Sequence, residues 1–398
     1  MEARRKLSDE EKKLINEMPK VVLHLHLDGS LRPATVKEWL NELNDNPQYF
    51  LKVLGSMNKD DRSKVLDLML EAHKDNKFDI NSVKQCLMVD KDCRDLNQYL
   101  EKFHLPCFLL QSAEHIERSV YELYEDLSKQ GVIYGEVRFA PSLHTKAGLS
   151  YNQIVEAAIK GLERAKKDFD IDGNLILCAM RGNDEENRKA NFETVKVAKR
   201  YLKRGVCALD IAGAEALFPT KNFEDIFTYA NDQGVPFTIH AGEAAGKLPS
   251  DDEKIEGPKS IWDAISYGAK RIGHGVQCIH DEELINYLRE KEIPLEVCVG
   301  SNLQTQATPD SEPHPLEQLY RVGIKTTINS DNDTVSNTNI IDEYKYVLEH
   351  TGLTIEDILQ MNINAARAIF ETLEKKAELV GKINSYRNNL KEKEPLTK

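Results

Sequence analysis

The 398-residue chain carries 53 Lys and Arg against 66 Asp and Glu, and its net charge of -13 argues against nucleic acid or an anionic membrane as partner, since both repel an acidic surface. At 40% hydrophobic and 30% charged it has the composition of a globular protein able to bury a large core, which leaves a small molecule in a local pocket as the expected ligand. No run approaches the roughly 20 apolar residues of a membrane span, and "MEARRKLSDEEKK" lacks the apolar stretch of a secretory signal. Seven cysteines without a C-x-x-C pair read as free thiols, so a cytoplasmic location is expected.

A capping-box pattern, Ser8 to Glu11, starts a short N-terminal helix. Eight strand-like runs follow: "VVLHLHL" (21–27), "VIYGEVRF" (132–139), "NLILCAM" (174–180), "VCALDIA" (206–212), "VPFTIHA" (235–241), "KRIGHG" (270–275), "IPLEVCV" (293–299) and "IKTTINS" (324–330). The segments between them have helical spacing, as in "FEDIFTYANDQG" and "DEELINYLREKE". Several end on glycine just before the next strand (Gly131, Gly205, Gly234, Gly323), the residue that adopts a left-handed helix cap without strain. Strand and helix in alternation predict a parallel sheet, and eight such units predict an α/β fold of the (β/α)8 TIM-barrel kind. The alternative, an open doubly wound sheet, finds no G-x-G-x-x-G turn in its support.

One connection breaks the rhythm. Residues 28–131 separate the first two strands with a mostly polar, helical insertion whose most apolar part is "LNQYLEKFHLPCFLLQ". On a barrel such an insertion forms a wall or lid over the mouth, or else a helical layer unconnected with function. No second domain boundary is evident, so residues 1–398 read as one barrel domain, with 385–398 a flexible tail.

Chemistry on a barrel sits at the C-terminal ends of the strands. The first strand ends "HLHLD"; a strand alternates faces, so His24, His26 and Asp28 share one side and Leu23, Leu25 and Leu27 the other. Two imidazoles facing the interior can share one metal ion; the plainer reading is a hydrogen-bonded pair of core histidines, and the Asp beside them favours ligands. The fifth strand ends "IHAGE" (His240, Glu243), the sixth "RIGHG" (His274) and the eighth "INSDND" (Asp331). A solvated charge run would not place histidines and carboxylates on one rim in this way. Imidazole nitrogen and carboxylate oxygen without thiolate suit zinc in a partly open catalytic site, and iron, manganese or cobalt less specifically.

Taken in order, "HLHLDGSL", "EVRFAPSLH", "LCAMRG", "DIAGAE", "HAGE", "RIGHG", "LEVCVGSN" and "NSD" resemble the adenosine deaminases of the amidohydrolase superfamily, from about Pro19 to about Phe370. The H-x-E and P-C-x-x-C pattern of cytidine-deaminase zinc sites is absent. The resemblance implies a metal-dependent hydrolase with one zinc ion on His24, His26, His240 and Asp331, a water in the remaining position, and Asp331 as acceptor of that water's proton. It implies that His274 sits beside the water and stabilises charge as the tetrahedral centre forms at purine C6. It implies that Glu243 is protonated and donates to purine N1, a state that burial favours. Substrate contacts are implied for His26, for Gly213, whose N–H would meet purine N3, and for Asp28, which would hold the ribose 5′-hydroxyl; related adenine deaminases tend to carry Glu there. The implied reaction takes adenosine and 2′-deoxyadenosine to inosine and deoxyinosine with release of ammonia, in purine salvage. Arg138 and Arg181, also at strand ends, read as structural ion pairs around the rim.

Two features depart from the family pattern. Where the family usually reads "DDP", this chain reads Asp331, Asn332, Asp333. The second family aspartate bonds purine N7, which only accepts, so it must carry a proton; the Asn332 amide donates at any pH, and the contact is expected to survive. The rival is a changed base or a weakened enzyme. The stretch "KLPSDDEKIEG" (247–257) resembles a loop insertion on the face that governs access, and the resemblance assigns no role to it or to residues 41–95. The alternatives are a related purine deaminase acting on adenine or a modified adenine nucleoside and, from another class, a non-catalytic nucleoside-binding barrel. A nucleotide is disfavoured because Asp28 would repel a 5′-phosphate.

Overall fold

A computed structural model of the chain describes residues 3–393 apart from 46, 75, 76, 91, 92, 94, 245, 248–253, 256, 310 and 311. All eight strand-like runs form strands: β1 (Lys20–His26), β2 (Val132–Phe139), β3 (Asp172–Met180), β4 (Val206–Ala212), β5 (Thr238–Ala241), β6 (Arg271–His274), β7 (Leu295–Val297) and β8 (Thr326–Ile328). Parallel pairing joins β1 to β4 in sequence and β5 to β8 in sequence. Two seams close the ring: Leu209 pairs with Phe237 between β4 and β5, and Leu25 pairs with Asp331 between β1 and the end of β8. At the second seam the His26 N–H donates to the Asp331 carbonyl at 2.7 Å, and the Asp331 N–H to the His24 carbonyl at 3.2 Å. The barrel therefore closes through the backbone of residues that carry imidazole and carboxylate side chains.

The strands are legible as apolar runs because a parallel barrel buries both of their faces; Lys20 to Leu25 are buried without interruption. The four glycines expected to cap helices are left-handed, with φ of +77° at Gly131, +101° at Gly205, +66° at Gly234 and +96° at Gly323. At the N-terminus, α1 (Asp9–Glu17) begins with the expected capping box, the Glu11 N–H donating to Ser8 Oγ and the Ser8 N–H to the Glu11 carboxylate.

The long first connection contains α2 (Pro33–Asp45), α3 (Pro47–Gly55), α4 (Lys59–Ala72), α5 (Ile80–Leu87), α6 (Leu96–Leu100), α7 (His104–Leu109) and α8 (Ala113–Lys129). Trp39, Leu40, Val53, Val65, Leu87 and Leu105 of this region share one buried apolar cluster with the barrel strands. The last of these helices, α8, is the barrel's own crossover and packs on α9 (Tyr151–Asp168). The two approach so closely at Gly161 that a Cβ there would lie 2.2 Å from the Glu117 carbonyl oxygen. Gly161→Ala is therefore expected to cost about 1–3 kcal/mol of stability, read as a lower denaturant midpoint; an unchanged midpoint would show that the helices separate freely here.

The expected tail is shorter than 385–398. The last helix runs Leu373–Lys393, tied down by the Tyr386 hydroxyl donating to the Leu14 carbonyl (3.3 Å) and by Arg387 Nε donating to Glu356 (2.6 Å). Those partners are distant in sequence, so local composition does not reveal them; residues 394–398 lie outside the described residues. In the stretch 247–257, residues 248–253 and 256 also lie outside the described residues, and Gly246–Lys247 pairs antiparallel with Lys254–Ile255 around them. Among the described residues no helix is long and apolar enough to cross a membrane.

Candidate active site

The strand ends bring four imidazoles and a carboxylate together. His24 and His26 come from β1, His240 from β5, His274 from the last position of β6 and Asp331 from just beyond β8. His24, His26, His240 and Asp331 each offer one nitrogen or oxygen, and these atoms lie within 4.8 Å of one another. Asp331 Oδ1 is 3.2 Å from His24 Nε2 and 3.4 Å from His26 Nε2, and His26 Nε2 is 3.1 Å from His240 Nε2.

The donor set fits a metal ion. His24 Nδ1 is hydrogen-bonded to Glu296 at 2.8 Å; a carboxylate accepts, so that proton sits on Nδ1 and the His24 Nε2 lone pair points inward, while His240 Nδ1 lies 2.8 Å from Asp210. His24 Nε2 and Asp331 Oδ1 are buried with no hydrogen-bond partner. Such orphans cost about 1–3 kcal/mol each, and one cation among them satisfies them together. In a second group, His24, His274, Cys298 and Asp331, the ligand atoms also lie within 4.8 Å of one another. It fits less well: the Cys298 thiol, pushed well up by burial, donates to the Glu296 carbonyl at 3.5 Å, and His274 Nδ1 is engaged by the Asn302 amide at 3.0 Å.

A charged layer beneath the histidines holds them. Arg138 is fully buried and pairs with Asp210 (2.6 Å) and Glu296 (2.8 Å), and Arg271 Nε reaches Glu296 at 2.5 Å. Burial alone would protonate Glu296, but Arg138 and Arg271 hold its carboxyl well below the usual range; His240 and Arg138 do the same for Asp210. The ion pair expected of Arg138 is therefore inside the barrel, not on its rim. Arg181 corrects the expectation: among the described residues it makes no ion pair. It donates instead to the Phe218 carbonyl (2.6 Å), Thr220 Oγ1 (3.1 Å) and the His240 carbonyl (2.6 Å), and the carboxylates of Glu215, Asp210 and Glu243 act on it through space.

Above this layer lies a cavity of about 360 Å³. His26, Asp28, Gly213, Glu243, His274, Asp331 and Asn332 all line it, so every residue singled out for substrate or catalysis meets one space. Tyr99, Leu100, Phe103, Cys107 and Phe108 line it too, which makes the insertion a wall of the cavity. Burial pushes the Glu243 carboxyl well up, reinforced by the charges of Asp331 and Glu215, and its Oε2 is 3.6 Å from His274 Nε2. Burial pushes the His274 imidazole well down, so it is neutral. Burial also raises Asp28, to about 6. His274 (φ +59°) and Asp331 (φ +63°) are left-handed non-glycine residues, strain of the kind that collects at functional sites. Gly273 leaves room for the ligand rings, since a Cβ there would lie 3.1 Å from His24 Cε1 and 3.1 Å from His240 Cα.

Several supporting residues escaped the sequence reading. Glu215 is fully buried and accepts the backbone N–H groups of Gly242 (2.8 Å), Glu243 (3.0 Å) and Ala244 (2.8 Å), which fixes the turn that aims Glu243. Asp210, Glu215, Glu296 and Asn302 all lie in "DIAGAE" and "LEVCVGSN". For Asp210 and Glu296 the signal was a carboxylate within an apolar strand, which cannot be buried without a partner; Glu215 and Asn302 lie past the strand ends and carried none. The cavity residues of the insertion carried no such signal.

Comparison with known proteins agrees with this geometry. The family profile described as adenosine deaminase matches residues 68–386. An adenosine deaminase of Haemophilus ducreyi is 39% identical over 366 residues, 91% of this chain and 94% of that one. One from Clostridium acetobutylicum is 36% identical over 379 residues, 94% and 99% of the two chains. Among solved structures, an adenine deaminase from Arthrobacter aurescens shares the fold with a TM-score of 0.74 at 20% identity, covering 93% of this chain and 99% of that one. Matched over most of its length by profile and relatives alike, the chain belongs to the adenosine deaminase family of deaminating hydrolases.

Proposed function

We propose that the protein hydrolyses adenosine and 2′-deoxyadenosine at purine C6, giving inosine or deoxyinosine and ammonia, with one zinc ion held by His24, His26, His240 and Asp331. The observation that carries this reading is the buried pair Glu243 and His274, 3.6 Å apart in the cavity that the metal-ligand set opens into, where burial favours the neutral form of each. Zinc in an open site of this donor type is a Lewis acid that makes hydroxide available from water near pH 7.

The chain's own groups handle the protons. Burial alone would raise the Asp331 carboxyl; a cation held by the ligand set would keep it ionised, and it would then accept the water's proton. Glu243 gives its proton to purine N1, which leaves C6 more open to attack. His274 stabilises the charge that develops on the attacking oxygen. The proton on Asp331 leaves with the amino group as ammonia, the C6 hydroxyl proton restores Glu243, and the product keeps the proton on N1.

Positioning falls to the walls. Gly213, at φ +110° a conformation only glycine adopts freely, sets its backbone N–H toward purine N3. Asp28 accepts the 5′-hydroxyl; with a pKa of about 6 it is mostly ionised at neutral pH and opposes a 5′-phosphate. Asn332 donates to N7. Its side chain is buried against Gly29, where a Cβ would lie 1.8 Å from the amide oxygen.

A substrate panel followed by ultraviolet absorbance tests the reading. The two nucleosides are expected to have the highest kcat/KM and AMP the lowest; a preference for adenine or for N6-methyladenosine would move the assignment to a related purine deaminase. For the Asn332 contact, 7-deazaadenosine is expected to bind the wild type more weakly than adenosine by about 1–2 kcal/mol. The gap should shrink in Asn332→Ala, and equal gaps in the two proteins would remove the contact.

A further inference from the structure

The polar chain behind His274 has a direction, and its far end fixes it. The Leu316 backbone N–H, which can only donate, meets His314 Nδ1 at 3.1 Å, so that nitrogen presents a lone pair. An imidazole with a lone pair on Nδ1 is neutral, so its single proton is on Nε2. His314 Nε2 lies 3.3 Å from Asn302 Oδ1, and Asn302 Nδ2 lies 3.0 Å from His274 Nδ1. An amide turned the other way would set N–H against N–H at His314, so this orientation follows from chemistry. Asn302 is fully buried, on the helix Val299–Gln304, and its own backbone is held by Cys298 and Thr308. His274 Nδ1 therefore accepts, and the one proton of the neutral ring is on Nε2, the nitrogen that faces Glu243.

We infer that Asn302 and His314 are positioning residues that lock His274 in its Nε2–H tautomer, so that His274 serves as a fixed hydrogen-bond donor in the reaction, and neither as the base for the water nor as a metal ligand. This rests on the proposed function only in placing His274 at the reacting centre. It decides between the two overlapping ligand groups, because neither nitrogen of His274 has a lone pair to spare. It also leaves the water's proton to Asp331.

The test reads the tautomer directly. Zinc-loaded protein labelled with 15N in histidine gives ring-nitrogen signals that distinguish protonated from unprotonated nitrogen, and the His274 signals are those missing from His274→Gln. At neutral pH the wild type is expected to show Nε2 protonated and Nδ1 bare; a proton on Nδ1, or on both nitrogens, would overturn the inference whether or not adenosine proves to be the substrate. Asn302→Asp, nearly isosteric but able only to accept, is expected to draw the His274 proton to Nδ1 and lower kcat by roughly 10²-fold, with KM changed by less than about threefold. If kcat falls while the His274 tautomer stays as in the wild type, the role of Asn302 is structural and the relay is refuted.

Discussion

Glu243→Gln is expected to lower kcat by about 10³-fold while the protein stays folded and keeps its metal. Glutamine fills the same space, and its amide can still donate a hydrogen bond toward purine N1. It has no proton to transfer, so the loss falls on kcat and leaves KM nearly unchanged. The backbone should not move, because the turn is held through the N–H groups of Gly242, Glu243 and Ala244 on Glu215, without help from the Glu243 side chain. Nor should metal affinity change, since burial favours the protonated, neutral carboxyl in the wild type and glutamine is neutral too. Metal content and single-turnover rate on one sample check both halves; wild-type kcat would strip Glu243 of its role.

Asp331→Asn is expected to act more broadly. Asparagine tolerates the left-handed backbone at this position, so the seam with β1 should persist. The donor set loses its one anion, and zinc affinity should fall by more than about 10²-fold. Excess zinc should refill the site without restoring turnover, because the amide cannot take the water's proton. Recovery of full activity at saturating zinc would confine Asp331 to holding the metal.

The strands were readable because they are apolar runs buried on both faces, four of them (β2, β4, β5 and β8) entered from a glycine-capped helix, and the histidines stood out because imidazole is foreign to such runs. Asp331 was readable for its place after "INS". What supports these residues was not. Arg138 meets Glu296 across 158 positions, and the His274–Asn302–His314 chain joins a strand end, a short helix and a loop. No periodicity announces contacts of that range. The helix through 385–393 was hidden in the same way, since its composition is that of a solvated tail, while its bonds to Leu14 and Glu356 and the packing of Tyr386 and Leu390 on the core come from residues distant in sequence. The insertion was readable as helical, but its aromatic residues at the cavity wall follow from how it folds back over the barrel.

The most direct test of the account is a zinc titration of metal-free protein during conversion of adenosine to inosine. Activity should be absent without metal, rise in proportion to added zinc, and level off at one ion per chain. A protein that carries one zinc per chain and leaves adenosine unchanged would contradict the account.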